Sequence, residues 1–206
     1  MSDSAIQADF WFDPLCPWAW ITSRWMLEVE QVRPVKTRWH LMSLAHLNLD
    51  QHGGEGLSPE YLERMEQAWG PVRICAAAAA ERGDEILLPL YTAIGTRFHN
   101  ERRRDAEALA EAVVEVGLDP AVLEAATRTD HDDAIKSSHQ RGIDLVGLDV
   151  GTPVISVEGD SFFGPVVTPI PRGEAAGRLW DGVRAVTGTD GFFELKRTRD
   201  RKPSFD

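Results

Sequence analysis

The alternation of apolar and polar residues predicts a strand, a helix and a second strand at the start of the chain. Residues 8–12 form a short aromatic run that ends at Asp13-Pro14, which is typical of a buried strand followed by a turn. Apolar residues then recur at spacings of three and four along one helical face, and this pattern ends before Pro34. The face consists of Trp18, Ile21, Trp25, Val29 and Val32. Residues 35–42 predict the second strand, so the chain opens with a βαβ unit in a parallel or mixed sheet.

The central part of the chain predicts one helix after another. Each helix has a start signal such as Ser or Asp before its first turn, or a stop signal such as Gly after its last. The first predicted helix begins at Ser58-Pro59 and ends at Gly70-Pro71. The second covers residues 74–80 and ends at Gly83, and the third covers residues 105–116 and ends at Gly117. The fourth begins at Asp119-Pro120, and the fifth covers residues 130–141 and ends at Gly142. This block is therefore expected to be all-α.

Strand signals return after Gly151. Residues 154–157 and 161–167 predict a hairpin around Glu158-Gly159-Asp160, and residues 173–186 predict a last helix. The summed order is βαβ, a helical block, then ββα. This order is the layout of an α/β, thioredoxin-like fold that is interrupted by an all-helical insertion subdomain.

The same order divides the chain into segments. Residues 1–50 and 143–190 are expected to form the two parts of the thioredoxin-like domain, residues 58–142 the helical insertion, and residues 191–206 a basic C-terminal tail. The basic residues of the tail are Lys196, Arg197, Arg199, Arg201 and Lys202. We expect this tail to be exposed, and a disordered tail fits the same composition.

Composition places the chain among ordinary globular proteins. It has 206 residues, of which 43% are hydrophobic and 27% charged, so it can bury a core as one large domain or one domain with an insertion. The 22 basic residues against 33 acidic ones give a net charge of −11, which argues against nucleic acid as a partner. No apolar run approaches the roughly 18 residues that cross a bilayer, so no membrane partner is expected either.

The amino terminus indicates a cytoplasmic protein. It carries Asp3 and Asp9 before its first basic residue, Arg24, and lacks the apolar segment and cleavage site of a secretory signal. Two cysteines, Cys16 and Cys75, are too few for a disulfide framework and are expected to stay reduced.

Cys16 is the main candidate for chemistry. It lies directly after the first predicted strand, and Pro17 is suited to the opening turn of the helix that follows. Free backbone N–H groups and the positive end of the helix dipole stabilise a thiolate there, which predicts a lowered pKa and a nucleophile. Most free cysteines are simply buried apolar residues, but the strand end, Pro17 and the flanking Trp18 and Trp20 favour a functional role.

The motif Cys16-Pro17-Trp18-Ala19 has alanine where a redox Cys-x-x-Cys pair has its second sulfur. No disulfide can close within it, so Cys16 must act through a mixed disulfide with an external thiol, or must activate a bound thiol. Cys75 follows Ile74 and precedes five alanines, and we interpret it as a packed core cysteine.

Other candidate residues are weaker. Thr152-Pro153 directly precedes a predicted strand, where a cis peptide bond is an option that the sequence leaves open. The six histidines show no paired ligand spacing, so no metal site is predicted, and His99 is interpreted as a solvent-facing residue at a helix end. The tryptophans close to Cys16 in sequence are interpreted mainly as core, while Trp18 has the flat surface that an aromatic ligand would need. These tryptophans are Trp11, Trp18, Trp20, Trp25 and Trp39.

Several strings spread over the chain match the pattern of a known family. They are residues 10–18, residues 68–73, Gly151-Thr152-Pro153, Phe163-Gly164-Pro165, residues 170–174 and residues 192–197. The strings resemble the DsbA-like branch of the thioredoxin superfamily, and most closely the mycothiol-dependent nitroreductases of actinobacteria. The resemblance implies a thioredoxin fold with a helical insertion, Cys16 as nucleophile, and a cis-proline loop at Thr152-Pro153 that faces it. It also implies that no cofactor is tightly bound and that mycothiol, or a similar small thiol, is the co-substrate.

The resemblance further implies a set of residues that bind the thiol and the substrate. This set is Pro17, Trp18, Asn48, Tyr61, Thr152 and Pro153. Ala19 departs from the family, whose close members carry Cys-Pro-Trp-Cys, and so puts dithiol cycling in doubt. An alanine there fits either a natural monothiol form or an engineered replacement that traps a mixed disulfide.

Three functions remain open from the sequence. The first is a cytoplasmic thiol-disulfide-type oxidoreductase, in which Cys16 attacks a disulfide or a nitro-bearing electrophile and a mycothiol-like thiol regenerates it. The second is a transferase or isomerase similar to the kappa-class glutathione transferases and the chromene-carboxylate isomerases, which Ala19 favours. The third is a non-catalytic binding protein. Related folds often form homodimers, and the sequence leaves the oligomeric state open.

Overall fold

Four strands form one mixed sheet in the order β2-β1-β3-β4. The computed structural model describes residues 5–51 and 57–206, and gives only the backbone of residues 50 and 51. The strands are β1 Ile6–Phe12, β2 Val35–Leu41, β3 Val154–Val157 and β4 Asp160–Phe163. β1 pairs parallel to β2 and antiparallel to β3, which pairs with β4 as a hairpin. The βαβ opening and the later hairpin are therefore confirmed.

Helices fill the chain between and after these strands. In the described ranges the α-helices are α1 Pro17–Val32, α2 Leu44–Gln51, α3 Pro59–Arg82, α4 Leu87–Gly95, α5 Ala106–Glu115, α6 Asp132–Val146 and α7 Gly173–Thr187. Two 3₁₀-helices, Asp84–Ile86 and Pro120–Thr127, and a π-helical turn, Thr96–Asn100, supplement them. Helices α2 to α6 lie between β2 and β3 in the chain, so the fold is thioredoxin-like with a helical insertion, as predicted.

Helix α1 buries more than the single apolar face that its sequence predicts. The indole N–H of Trp25 donates to the carbonyl oxygen of Ala176 on α7 at 3.1 Å. On another side Trp20 lies so close to Gly95 of α4 that a Cβ at Gly95 would clash with the indole ring. Because α1 packs against α7 and α4 as well as the sheet, even its polar Thr22 and Ser23 are buried.

Aromatic side chains form much of the core around α1 and α4. The rings of Phe12 and Tyr91 stack with centroids 3.9 Å apart, and Trp20 meets Tyr91 edge-on at 5.4 Å. Four of the five tryptophans near Cys16 are buried, as predicted, and Trp18 is half-buried. The four buried residues are Trp11, Trp20, Trp25 and Trp39.

The predicted end of a helix at Gly70-Pro71 is wrong, because α3 runs through both residues to Arg82. A proline inside a helix removes one hydrogen bond and costs about 3 kcal/mol or more. On both sides of Pro71, however, Trp69, Val72 and Ile74 are buried, and each such side chain stabilises the fold by about 1.5–3 kcal/mol. Burial along the whole helix outweighs the local cost.

The predicted end at Gly142 is wrong for a different reason. Helix α6 continues to Val146 and is capped by Gly147. A Cβ at Gly142 would come within 3.1 Å of the indole of Trp11, so this glycine serves close packing against β1.

Several smaller expectations also change. Strand β4 ends at Phe163 rather than at residue 167, since Pro165 and Pro169 lack the N–H that a sheet ladder needs. Asp119-Pro120 starts a 3₁₀-helix rather than an α-helix. The sequence signals did not predict α2 and α4, which are short.

The C-terminal tail is exposed over residues 193–202, as predicted, but its last residues are packed. The backbone N–H of Ser204 donates to Oγ1 of Thr168 at 2.9 Å, and Nδ2 of Asn100 donates to the carbonyl oxygen of Phe205 at 3.0 Å. The Phe205 ring lies 5.5 Å from the ring of His99, centroid to centroid. Disorder is therefore the wrong description for the end of the tail.

A buried arginine joins two helices of the insertion. Arg73 of α3 is 2% exposed, and its Nε and Nη2 donate to the two carboxylate oxygens of Asp132 on α6 at 2.8 and 2.9 Å. Its Nη1 donates to Glu66 at 2.6 Å. The two-pronged geometry fixes the start of α6 against α3.

His99 is buried, so its interpretation as a solvent-facing residue is wrong. Its Nε2 lies 2.9 Å from the carbonyl oxygen of Pro14 and must donate to it, which leaves Nδ1 without a hydrogen-bond partner among the described residues. Burial lowers the pKa of His99 to about 4. The neutral ring thus ties the π-helical turn to the loop that precedes Cys16.

We predict that Asp132→Asn lowers the free energy of unfolding by about 3 kcal/mol, because it leaves the buried Arg73 guanidinium short of its main partner. Urea denaturation followed by circular dichroism measures the change. Asp130→Asn is the matched control. Because Asp130 pairs with the exposed Arg128, this variant should lower the free energy of unfolding by less than about 1 kcal/mol. Equal losses in the two variants would contradict the role given to Arg73.

We also predict a pH dependence that originates in His99. The His99 ring takes up a proton near pH 6.5 in the unfolded chain but only near pH 4 in the folded protein. The free energy of unfolding should therefore fall by about 3 kcal/mol as the pH is lowered from about 6.5 to about 4. His99→Gln can still donate to Pro14 but cannot titrate. The difference in unfolding free energy between wild type and variant should therefore change by that amount across this range. A constant difference would show that His99 is not held neutral.

Candidate functional site

Cys16 occupies the position that the sequence predicts, between β1 and α1. It is the N-cap of α1, and its Sγ accepts a hydrogen bond from the backbone N–H of Ala19 at 3.4 Å. Its own N–H donates to the carbonyl oxygen of Asp13 at 3.0 Å, which closes the turn after the strand. Pro17 takes the first helical position, where a missing N–H costs nothing.

The loop before β3 lies against the Cys16 sulfur. The S–H donates to the carbonyl oxygen of Thr152, with Sγ and O 3.5 Å apart. The peptide bond between Thr152 and Pro153 is cis. Thr152 is buried, and its hydroxyl has no hydrogen-bond partner among the described residues. The fold thus brings together two motifs that are far apart in the sequence.

The predicted low pKa of Cys16 is wrong for the protein in this conformation. The residue is 5% exposed, and burial raises the pKa of its thiol. The backbone N–H of Ala19, which donates to the sulfur, lowers the pKa by less, and the charge of Asp13 raises the pKa further. The helix start supplies the groups that stabilise a thiolate, but loss of water outweighs them here.

Asp13 is a buried carboxyl group beside Cys16 that the sequence analysis treated only as part of a turn. One of its oxygens accepts the N–H of Leu15 at 2.8 Å, and the other accepts the N–H of Leu44, at the start of α2, at 2.7 Å. Burial raises the pKa of Asp13 to about 6, although both hydrogen bonds favour the carboxylate. The local signal for it was the Asp-Pro turn, and the partner from α2 could not be read from sequence.

The remaining predicted binding residues lie on three helices. Trp18, in the first turn of α1, is half-buried, and the guanidinium carbon of Arg199 lies 5.5 Å from its ring centroid. Asn48 is on α2, where its Nδ2 lies 4.0 Å from the sulfur of Met65 on α3. Tyr61 is in the first turn of α3. Among the described residues Asn48 makes no hydrogen bond to Cys16, so its place in the site rests on the resemblance.

Cys75 is fully buried on α3, which confirms its interpretation as a core residue. Burial raises the pKa of its thiol far above the ordinary range. It is therefore unsuited to replace the missing second thiol of the motif.

An apolar cleft lies next to the loop that carries Cys16. It has a volume of about 690 Å³, and its apolar lining comes from Leu15, Gly70, Pro71, Phe98, Leu109 and Ala126. Polar residues also line it, namely Glu66, Gln67, Arg104, Asp105 and Thr127. Leu15 directly precedes Cys16, so the cleft connects that loop with α3, α5 and the residues around Ala126.

The described ranges, residues 5–51 and 57–206, hold no candidate metal cluster and no candidate membrane span. No cluster of three or more His, Cys, Asp and Glu side chains there could hold a metal ion. None of the helices there combines the length and apolar character that crossing a membrane requires.

Solved structures share this fold. A probable DsbA oxidoreductase from Streptomyces coelicolor is 15% identical with a TM-score of 0.55, covering 95% of this chain and 94% of that chain. A 2-hydroxychromene-2-carboxylate isomerase is 16% identical with a TM-score of 0.56, covering 87% and 94%. The cytosolic disulfide reductase DsbM from Pseudomonas aeruginosa, solved with GSH, is 18% identical with a TM-score of 0.53, covering 87% and 100%. At these identities the likeness shows the fold alone.

Sequence relatives define the family. An uncharacterized protein, Rv2286c of Mycobacterium tuberculosis, is 32% identical over 195 residues, which cover 93% of this chain and 81% of that protein. A family model described as mycothiol-dependent nitroreductase Rv2466c matches residues 15–197, from the cysteine loop to the basic tail. The chain therefore belongs to the Rv2466c-like family of mycothiol-dependent nitroreductases, an oxidoreductase family, and it shares the fold of the DsbA-like structures.

Proposed function

We propose that this chain is a cytoplasmic oxidoreductase that works with a single cysteine and a small external thiol. The observation that carries the proposal is the position of Cys16, whose sulfur caps α1 and lies 3.5 Å from the Thr152 carbonyl oxygen. In the first step the Cys16 thiolate attacks one sulfur of a disulfide, a Cys16–sulfur bond forms, and the other sulfur leaves as a thiolate. In the second step mycothiol, or a similar thiol, attacks this mixed disulfide and releases Cys16.

Ala19 makes the external thiol a requirement of the mechanism. With alanine at the fourth position of the motif, no neighbouring thiol can attack the mixed disulfide. Cys75 is fully buried and its pKa is strongly raised, so it is not available either. Reduction of a nitro-bearing substrate, which the family name suggests, would likewise draw its electrons from the thiol co-substrate.

The proposed binding surface combines backbone and side-chain groups. The Thr152 carbonyl and the adjoining Pro153 would present extended backbone to the bound thiol, and Pro17 and Trp18 would flank the sulfur. Asn48 and Tyr61, on α2 and α3, are proposed to hold the polar part of the thiol. The apolar cleft beside Leu15 has the size and lining to take the carbon skeleton of a small substrate.

A second candidate function is a transferase or isomerase that holds a thiol cofactor without oxidising it. Two observations favour it: the absence of a second motif sulfur at Ala19, and burial that raises the pKa of Cys16. Turnover of substrate without net oxidation of the thiol would support this function over the first. A protein that forms no thiol adduct and shows no turnover would be a binding protein.

We expect the protein to form one mixed disulfide when it is incubated with oxidised mycothiol, and intact-mass spectrometry measures the adduct. The adduct should survive Cys75→Ala and disappear in Cys16→Ser, because Cys75 is inaccessible. Added reduced mycothiol should remove it. If Cys16 forms no adduct, the covalent mechanism is wrong and the bound-thiol function is the better explanation.

The pH dependence of Cys16 provides a second test. Because burial and the charge of Asp13 raise the pKa of Cys16, its alkylation by iodoacetamide should reach half-maximal rate above about pH 8.5, the value for a free thiol. Asp13→Asn removes the negative charge and should move this midpoint to lower pH. Thermal melting checks that the variant is folded, since the amide cannot accept both N–H groups as the carboxylate does. A wild-type midpoint below that of a free thiol would contradict this account.

A further inference from the structure

A set of unpaired cations lies in the C-terminal tail of an otherwise acidic protein. The net charge of the chain is −11. Nε of Arg201 lies 4.0 Å from a carboxylate oxygen of Asp200. The other basic residues of the tail form no ion pair within the described part of the chain. These residues are Lys196, Arg197, Arg199 and Lys202. Unpaired cations of this kind are available to an incoming anion.

One of these cations is held next to the cysteine motif. The guanidinium carbon of Arg199 lies over the ring of Trp18, two residues from Cys16, and is 5.5 Å from the ring centroid. Arg199 makes no ion pair within the described residues, so its N–H groups are available to bind a carboxylate as a two-pronged donor.

The end of the tail is anchored, which limits how far Arg199 can move away. Ser204 bonds to Thr168, and the carbonyl oxygen of Phe205 accepts a hydrogen bond from Asn100. Phe205 also packs against His99, whose ring is bonded to Pro14 of the cysteine loop. The tail is therefore attached to the same loop that presents Cys16.

We propose that Arg199 is a specificity-determining residue that selects substrates carrying an anionic group close to the bond that Cys16 attacks. The substrate class is small disulfides or aromatic electrophiles that bear a carboxylate or a similar anion. This inference rests on the proposed function, since it names the substrates of the same cysteine. Without such a cation, the acidic protein and the carboxyl group of Asp13 would repel these substrates from Cys16.

The test uses two aromatic disulfides that differ in charge. Dithiobis(nitrobenzoate) carries carboxylates, and dithiodipyridine is neutral. In both reactions the Cys16 thiolate forms a bond to one reagent sulfur, the reagent S–S bond breaks, and one coloured aryl thiol is released. The second-order rate constant follows from its absorbance.

Arg199→Ala should lower the rate constant with the anionic disulfide by about two- to fivefold, the range expected for an exposed charge pair, and leave that with the neutral disulfide unchanged. Arg199→Glu should lower the rate constant with the anionic disulfide further. Phe205→Ala should lower the rate constant with the anionic disulfide by less than Arg199→Ala does, because it removes the ring contact with His99 and leaves the bonds of Ser204 and of the Phe205 carbonyl in place. Arg201→Ala is the matched control, and it should change neither rate because this exposed residue lies beside Asp200.

Several outcomes would overturn the inference. If Arg199→Ala lowers the rate constants with the two disulfides equally, Arg199 acts on Cys16 itself. If it raises both rate constants equally, Arg199 shields the sulfur. The same loss in Arg201→Ala would assign the effect to the charge of the whole tail. If Cys16 of the wild-type protein reacts with neither disulfide, the proposed function fails. If Cys16 reacts with both, and Arg199→Ala leaves the ratio of the two rate constants unaltered, only the role of Arg199 is rejected.

Discussion

The buried carboxyl group of Asp13 is the constraint around which the cysteine site is arranged. It bonds to Leu15 in the loop and to Leu44 at the start of α2, so one side chain fixes both the turn that presents Cys16 and the first helix after β2. Its charge also raises the pKa of Cys16. Asp13 therefore contributes both to the geometry of this site and to the reactivity of its thiol.

The Cys16 sulfur is subject to opposing forces. The helix start and the N–H of Ala19 favour a thiolate, while burial and the charge of Asp13 favour the protonated thiol. In this conformation burial dominates. Greater access of water to the sulfur would favour the thiolate, because the groups that stabilise it are already in place. The site thus combines a protected resting thiol with a preformed environment for the reactive form.

Much of the fold follows from local sequence signals, and the errors have a common physical origin. The βαβ opening and the place of Cys16 were predicted because periodicity and the Asp13-Pro14 turn are local. Pro71 and Gly142 were misread as helix ends because their tolerance depends on packing against distant parts of the chain. The raised pKa of Cys16 and the position of Arg199 likewise depend on long-range contacts. The contact between Cys16 and the Thr152-Pro153 loop agrees with the sequence prediction, while Asn48 and Tyr61 stay predictions and the electrostatics of the site could not be predicted.

The pairing of β1 sets the order in which the molecule can be assembled during synthesis. β1 can pair with β2 as soon as α1 has formed, because this parallel pair needs only a short crossover. The other edge of β1 pairs with β3, where Ala8 lies opposite Val157. This second pairing can form only after the whole helical insertion has been synthesised. Non-local strand pairing of this kind is slow and leaves a sheet edge exposed in the meantime. The contact between Cys16 and Thr152 belongs to this last step, so the candidate site comes into existence only when the fold is nearly complete.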